Sequence, residues 1–140
     1  MAVAPSAATL NKLTQKRQFG LVLAHPPVAH SRHFAVHVLA TQTPDFSPAH
    51  GVWAGVVLPK RWAKRAVTRN ALRRQIYAIT SDFLGQHADA WSPQGLAMVV
   101  RLRRSFDPQQ FVSAWSEPLR QAVRAELIPL TQRVLSAGKH

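Results

Sequence analysis

Cysteine is absent from the 140 residues. No disulfide framework, Cys-based zinc site or thiol nucleophile is therefore available, and the composition suits a reducing compartment. Acids are almost as scarce, with six Asp and Glu against 18 Lys and Arg and a formal charge of +12. Long apolar runs are missing too: nothing approaches the roughly 18 residues that span a bilayer. The opening MAVAPSAATLNKLTQKR has no apolar centre of the kind a secretion signal needs, although its basic, acid-free character also resembles an organelle transit peptide. We read residues 1–9 as a disordered leader and expect a cytoplasmic protein. What the chain does have is enough apolar material for a core, 46% of residues. That excludes a disordered basic tail, and the charge argues against a neutral metabolic enzyme. The length is that of one domain. We place it at 10–130, followed by a frayed tail at 131–140.

The charge is unevenly placed. The acids are Asp45, Asp82, Asp89, Asp107, Glu117 and Glu126, so residues 46–81 contain none. Within that stretch lie Lys60, Arg61, Lys64, Arg65, Arg69, Arg73 and Arg74. A solvated helix face normally alternates signs, because opposite charges three or four residues apart attract. Seven unneutralised cations repel one another and call for a polyanion, and the pI of about 11.8 points to nucleic acid.

Periodicity gives the elements. Thr14 is a plausible N-cap for a helix over 15–24, with Leu13, Phe19, Val22 and Leu23 near one side and His25-Pro26-Pro27 closing it. Residues 33–40 alternate as a strand, and 52–58 are apolar on both faces, which predicts a central strand. A helix comes next over 64–84, with Gly85 as its stop. At about 100° per residue, Leu72, Ile76, Ile79 and Phe83 fall in a stripe roughly 60° wide, while Arg69, Asn70, Arg73 and Arg74 occupy an arc centred about 120° away. One face packs and a neighbouring face binds. Residues 96–103 form a further strand with a basic end, and Asp107-Pro108 signals a last helix over 107–127. Pro118 would kink that helix and Pro129 would end or bend the chain beyond it. The order α-β-β-α-β-α describes a mixed sheet carrying helices.

Reaction chemistry is harder to find. Hard cations take clustered carboxylates, and no two acids are closer than seven residues. His30, His33 and His37 lie close in sequence, and His33 and His37 would share a strand face, but neither further strong ligands nor an orienting partner is visible. No Gly-rich phosphate loop or nucleophile elbow occurs. We assign no catalytic and no metal residues. In the basic cluster, guanidinium groups suit bidentate phosphate contacts and Asn70 can donate and accept. Trp62 has two roles open to it, stacking on a base or pinning its loop to the core; Phe19 has the same two, with packing favoured. Trp53 and Trp115 read as core.

The stretch VVLPKRWAKRAVTRNALRR resembles the bacterial ribonuclease P protein family. That family carries an apolar strand, here ending at Leu58, then a basic pair, Lys60 and Arg61, then Ala66-Val67, then the helix signature Arg69, Asn70, Arg73 and Arg74. Upstream, residues 13–23 resemble its first helix with an exposed aromatic, Phe19, and Ser31-Arg32-His33-Phe34 its first strand. Met98-Val99-Val100-Arg101 resembles the last strand. The resemblance implies an α+β sandwich of the α-β-β-β-α-β-α type with a left-handed β-α-β crossover, an exception to the usual handedness. It also implies the protein subunit of an endoribonuclease whose active site is in an RNA partner. That RNA, with Mg²⁺, would remove the 5′ leader of precursor tRNA, and the protein itself would hold no cofactor. By position, Arg65, Arg69, Asn70, Arg73 and Arg74 would contact the catalytic RNA. Phe19, Arg32, His37, Lys60 and Arg61 would line a cleft for the leader. Departures from the family pattern fall at Leu23, His37, Trp53, Ala71, Tyr77, Ala78, Gly95 and Pro118.

Other readings make different predictions. A structural or ribosome-associated RNA-binding protein would share the basic helix without supporting any cleavage. A protein-only nuclease would cut without an RNA subunit and would depend on His33 and His37. A DNA-binding helix would prefer duplex DNA to structured RNA.

Overall fold

Alternation decides the sheet. In residues 34–40 and 96–102 every second side chain is apolar and points to one side, so each strand can bury that side under helices. The computed structural model describes residues 10–41, 45–46, 51–86 and 95–137. Along the chain these form β1 (Leu10–Lys12), α1 (Lys16–Leu23), β2 (Ala29–His30), β3 (Phe34–Ala40), β4 (Val52–Val57), α2 (Ala66–Gln86), β5 (Leu96–Leu102) and α3 (Glu117–Ala137). From α1 onward the order is the α-β-β-β-α-β-α that the family resemblance implies.

The strands make one five-stranded sheet in the order β1-β4-β5-β3-β2. β4 runs parallel to both β1 and β5, whereas β3 is antiparallel to β5 and to β2. The middle strand is β5; the stretch expected to be central becomes β4, an interior strand one place away. Its two apolar faces have the expected cause, because helices cover both sides. On one side Leu72, Ile76 and Phe83 of α2 and Val123, Leu127 and Leu135 of α3 pack on Phe34, Val36, Ala54, Met98 and Val100. Each such fully buried side chain contributes about 1.5–3 kcal/mol of transfer free energy. On the other side Val22 of α1 packs with Leu13, Phe46, Ala97 and Val99. Asp45 anchors α1 there, accepting from Arg17 Nε at 2.6 Å and, through its carbonyl, from Gln18 Nε2 at 3.0 Å.

Several boundaries differ from the sequence expectation. α1 spans eight residues and begins after Gln15 rather than Thr14; Gln18 Oε1 reaches back to accept from the Thr14 and Gln15 amides at 3.2 Å each, as the N3 side chain of a capping box does. β1 and β2, of three and two residues, are too short to show a period. Gly85 does not stop α2, which continues through Gln86. His33 sits one residue ahead of β3 rather than on it.

The largest correction concerns the last helix. Asp107-Pro108 makes only a single turn, in which the amides of Gln110 and Phe111 donate to the Asp107 carbonyl at 3.1 and 2.8 Å. The chain then leaves helical geometry while Phe111 and Trp115 pack against the core. α3 starts at Glu117, with Ser116 as its cap: Ser116 Oγ accepts from the Leu119 amide at 3.2 Å. Pro118 thus lies in the first turn, where its missing N–H has no partner to lose, so it does not kink the helix. Pro129 is the proline inside. Nor does the chain fray from residue 131: α3 runs through Ala137, and Val134 and Leu135 are buried in the core. The expected leader at 1–9 and residues 138–140 lie outside the described residues.

Candidate nucleic-acid interface

α2 separates its residues as the helical wheel requires. Leu72, Ile76, Ile79, Thr80 and Phe83 are buried, and Asn70, Arg73 and Arg74 are exposed. Among the described residues no acid pairs with any cation between Lys60 and Arg74; Asp45 pairs with Arg17, Glu117 with Arg120, and Glu126 is hydrogen-bonded to His33. Arg73 Nη1 donates to Asn70 Oδ1 at 3.0 Å, which leaves the Asn70 amide NH₂ outward and the rest of the guanidinium fork free. Arg69 is used differently. Its Nη1 donates at 2.9 Å to the carbonyls of both Ala63 and Lys64, holding the turn ahead of α2. Arg65 is exposed and reaches the Val112 carbonyl at 3.5 Å.

Tyr77, one turn beyond Arg73, is one of the departures from the family pattern. Its ring lies under Lys12 Nζ at 4.7 Å, and burial raises its phenol above the ordinary value while the Arg73 charge pulls it down. The packed side of α2 therefore reaches Tyr77, which shortens the charged face.

The turn after β4 carries Lys60 and Arg61. The amides of Trp62 and Ala63 donate to the Pro59 carbonyl at 3.0 and 3.1 Å, and both basic residues are left exposed. Of its two open roles, Trp62 fills the packing one: it lies against the α2–α3 side of the core with the Arg61 guanidinium 5.2 Å above its ring. A cavity of 430 Å³ opens between this turn and residues 105–114.

On the opposite face of the sheet, beside α1, register lines up two rows of residues. Gly55, Val99 and His37 pair across three strands, and the next row is Val57, Arg101, Ala35 and His30. Phe19 closes one side of the first row. A Cβ on Gly55 would come within 2.5 Å of the Phe19 ring and 2.9 Å of Leu13, so the ring rests directly on the glycine backbone. His37 is only 5% exposed. Its Nδ1 lies 2.7 Å from the His25 carbonyl, which can only accept, so Nδ1 carries the proton and Nε2 accepts from Arg101 Nε at 3.4 Å. His37 is therefore buried in this face and holds the Arg101 guanidinium from below. Arg101 is half-exposed and His30 and Arg32 are exposed. The basic end of the last strand is visible in the sequence; that Arg101 and His30 share a row is not, because it depends on strand pairing.

The ten expected contact residues thus divide between two surfaces. Arg65, Asn70, Arg73 and Arg74 lie on the α2 side, with Arg69 partly built into the helix start. Phe19 and His37 lie on the α1 side of the sheet, Arg32 stands exposed on the turn between β2 and β3, and Lys60 and Arg61 stand on the turn that leaves β4. His30, His33 and His37 do not converge, and among the described residues no three His, Asp or Glu side chains come close enough to share a metal.

A mixed α/β sheet protein with one acid-free basic helix face and further basic residues on the other side of the sheet is the class that this fold and surface define. A model of the family Ribonuclease P matches residues 8–125. The ribonuclease P protein component of Ralstonia pickettii (strain 12J) is 34% identical over 138 residues, covering 95% of this chain and 85% of its own. The chain belongs to the ribonuclease P protein component family. Solved structures agree on the fold. The Staphylococcus aureus ribonuclease P protein superposes with a TM-score of 0.58 at 16% identity, over 88% of this chain and 94% of that one. The Thermotoga maritima protein gives 0.57 at 21% identity, over 88% and 96%.

Proposed function

We propose that this chain is the protein subunit of a cytoplasmic ribonuclease P, an endoribonuclease whose active site and Mg²⁺ belong to its RNA partner. The observation that carries the reading is the division of the basic surface. One patch, Asn70, Arg73 and Arg74 with Arg65 at its edge, projects from a helix packed on one side of the sheet. The other, Arg101 and His30 in one row, lies on the opposite side of the sheet, where Phe19 rests on Gly55, and Arg32 is exposed on the turn after β2. A protein that bound one RNA by charge alone would need only one such patch. Two, on opposed faces, suit a bridge between the catalytic RNA and the 5′ leader of precursor tRNA.

The chemistry of the residues fits positioning. Guanidinium forks on α2 neutralise backbone phosphates of the catalytic RNA and fix its register. A single-stranded leader laid along the cleft would meet the Arg101 charge, the edge of Phe19 and the exposed His30 and Arg32, with Lys60 and Arg61 at the mouth. Neutralising phosphates on both RNAs lowers the repulsion that Mg²⁺ must otherwise screen. Holding the leader converts a loose encounter into an oriented one.

The test is cleavage of leader-bearing precursor tRNA at low Mg²⁺ with catalytic RNA alone, protein alone, both, and both with Arg73 and Arg74 changed to Ala. These two are chosen over Arg69, whose loss would also free the turn before α2. Activity only in the complete mixture, lost in the variant and restored by high Mg²⁺, is the expected result. Cleavage by protein alone, or no enhancement in any mixture, would sink the reading.

A further inference from the structure

Glu126 lies on α3, in a chain with three times as many cations as acids, yet among the described residues no Lys or Arg pairs with it. Instead it holds the turn between β2 and β3, 93 to 95 residues away in sequence. Oε1 accepts from Ser31 Oγ at 2.6 Å and from the His33 amide at 2.9 Å, and Oε2 faces His33 Nδ1 at 2.5 Å. The His33 ring is fixed on its flat side by Phe106, stacked at 3.8 Å and within 9° of parallel. From the β5 side, Arg103 donates through Nη1 to the Ser31 carbonyl at 2.9 Å and to the Arg32 carbonyl at 3.4 Å, and through its amide to the His33 carbonyl at 2.7 Å. The turn is thus tied from both α3 and β5, and the exposed side chain between these ties is Arg32.

We propose that Glu126, acting through His33 and Ser31, is a positioning residue for Arg32 in the leader cleft. An arginine on an unbraced turn would lose backbone and side-chain freedom whenever it gripped a phosphate. Here the carboxylate and Arg103 have already fixed the backbone on both sides of it, so that entropic cost falls on folding and not on binding. The turn follows directly on His30, whose row across Ala35 also holds Arg101. His33, which a nuclease reading would place in a reaction, is on this account a spacer: its Nδ1 is held by the carboxylate and its face by Phe106. The inference rests on the leader-cleft reading and assigns α3 a part in it that neither basic surface shows.

The experiment compares binding of two tRNAs to the holoenzyme, one with a 5′ leader and one mature and leaderless. The protein variants are Arg32→Ala, Glu126→Ala, Glu126→Gln, His33→Asn and the double variant Arg32→Ala with Glu126→Ala. Glu126→Ala is expected to weaken binding of the leader-bearing tRNA on the order of tenfold, within the range that coupled neighbours show, and to leave the leaderless tRNA unchanged. Glu126→Gln should lose less, since its oxygen still accepts from the turn. His33→Asn, whose amide can replace the Nδ1 donor, should retain most of the wild-type preference for the leader. The double variant should be no worse than Arg32→Ala alone, because the carboxylate acts through that side chain. Equal loss for both tRNAs, or additive losses in the double variant, overturns the inference. If Arg32→Ala weakens leader binding and neither Glu126 variant does, the positioning role alone fails. If Arg32→Ala itself has no effect, the leader contact at Arg32 fails first.

Discussion

A methyl group at position 55 would meet the Phe19 ring at 2.5 Å and Leu13 at 2.9 Å, closer than packed carbons tolerate. Gly55 has no positive φ, so the glycine is required by contact and not by backbone strain. Gly55→Ala should therefore destabilise the protein by about 1–3 kcal/mol, the usual cost of overpacking, measured by chemical denaturation. It should also weaken leader binding, because the ring that closes the cleft must move. At this scale the sequence is informative about residue type and silent about dual use. The Arg69, Asn70, Arg73 and Arg74 signature stands out, yet only the fold shows Arg69 holding the carbonyls of Ala63 and Lys64. Family position puts His37 in the lining of the cleft; the structure sets it beneath, orienting Arg101. Both outcomes turn on partners brought from elsewhere in the chain.

Among the elements, each helix signal is sound on its own, and joining the signals misleads. Asp107-Pro108 is a genuine turn initiator, and Phe111, Trp115 and Leu119 do fall at helical spacing, but Phe111 and Trp115 meet the core from a non-helical segment. The consequence is an exchange of roles between two prolines. Pro118, in the first turn of α3, removes no hydrogen bond, whereas Pro129, in its interior, denies a partner to the Ala125 carbonyl. Pro118→Ala should change stability by less than about 0.5 kcal/mol. Pro129→Ala should raise it by about 1–3 kcal/mol, up to the cost of proline relative to alanine in a helix interior. Thermal melts of the two variants check the contrast, and a larger gain from Pro118→Ala would contradict this assignment of α3. β1 and β2 escape detection for a simpler reason: with three and two residues, neither contains a full alternation.

At the scale of the molecule, a charge of +12 on 15.5 kDa makes affinity a function of salt. If about six phosphates are neutralised, RNA binding should fall on the order of a thousandfold between 50 and 200 mM monovalent salt. Replacing Arg73 and Arg74 by Ala should reduce the slope of log affinity for the catalytic RNA against log salt by about two, since each contributes about one released counterion. Arg32→Ala should leave that slope unchanged, because it lies at the other surface. A titration series over salt, run with the catalytic RNA alone, separates the two. Equal effects from both sets would mean that the surfaces are not independent.

The sequence by itself determined the balance of the molecule. An acid-free basic stretch, one helix with packing and binding sides, three strands and the ordered motif from residue 55 to 74 are set by local spacing, which needs no knowledge of the fold. Tertiary structure decided what becomes neighbour to what. Strand register put Arg101 and His30 in one row across Ala35, a glycine backbone received Phe19, and Glu126 reached a turn more than ninety residues away. The physical reason is range: periodicity reports a residue's own element, whereas a cleft is assembled from side chains whose proximity is fixed only when the sheet pairs and the helices pack upon it.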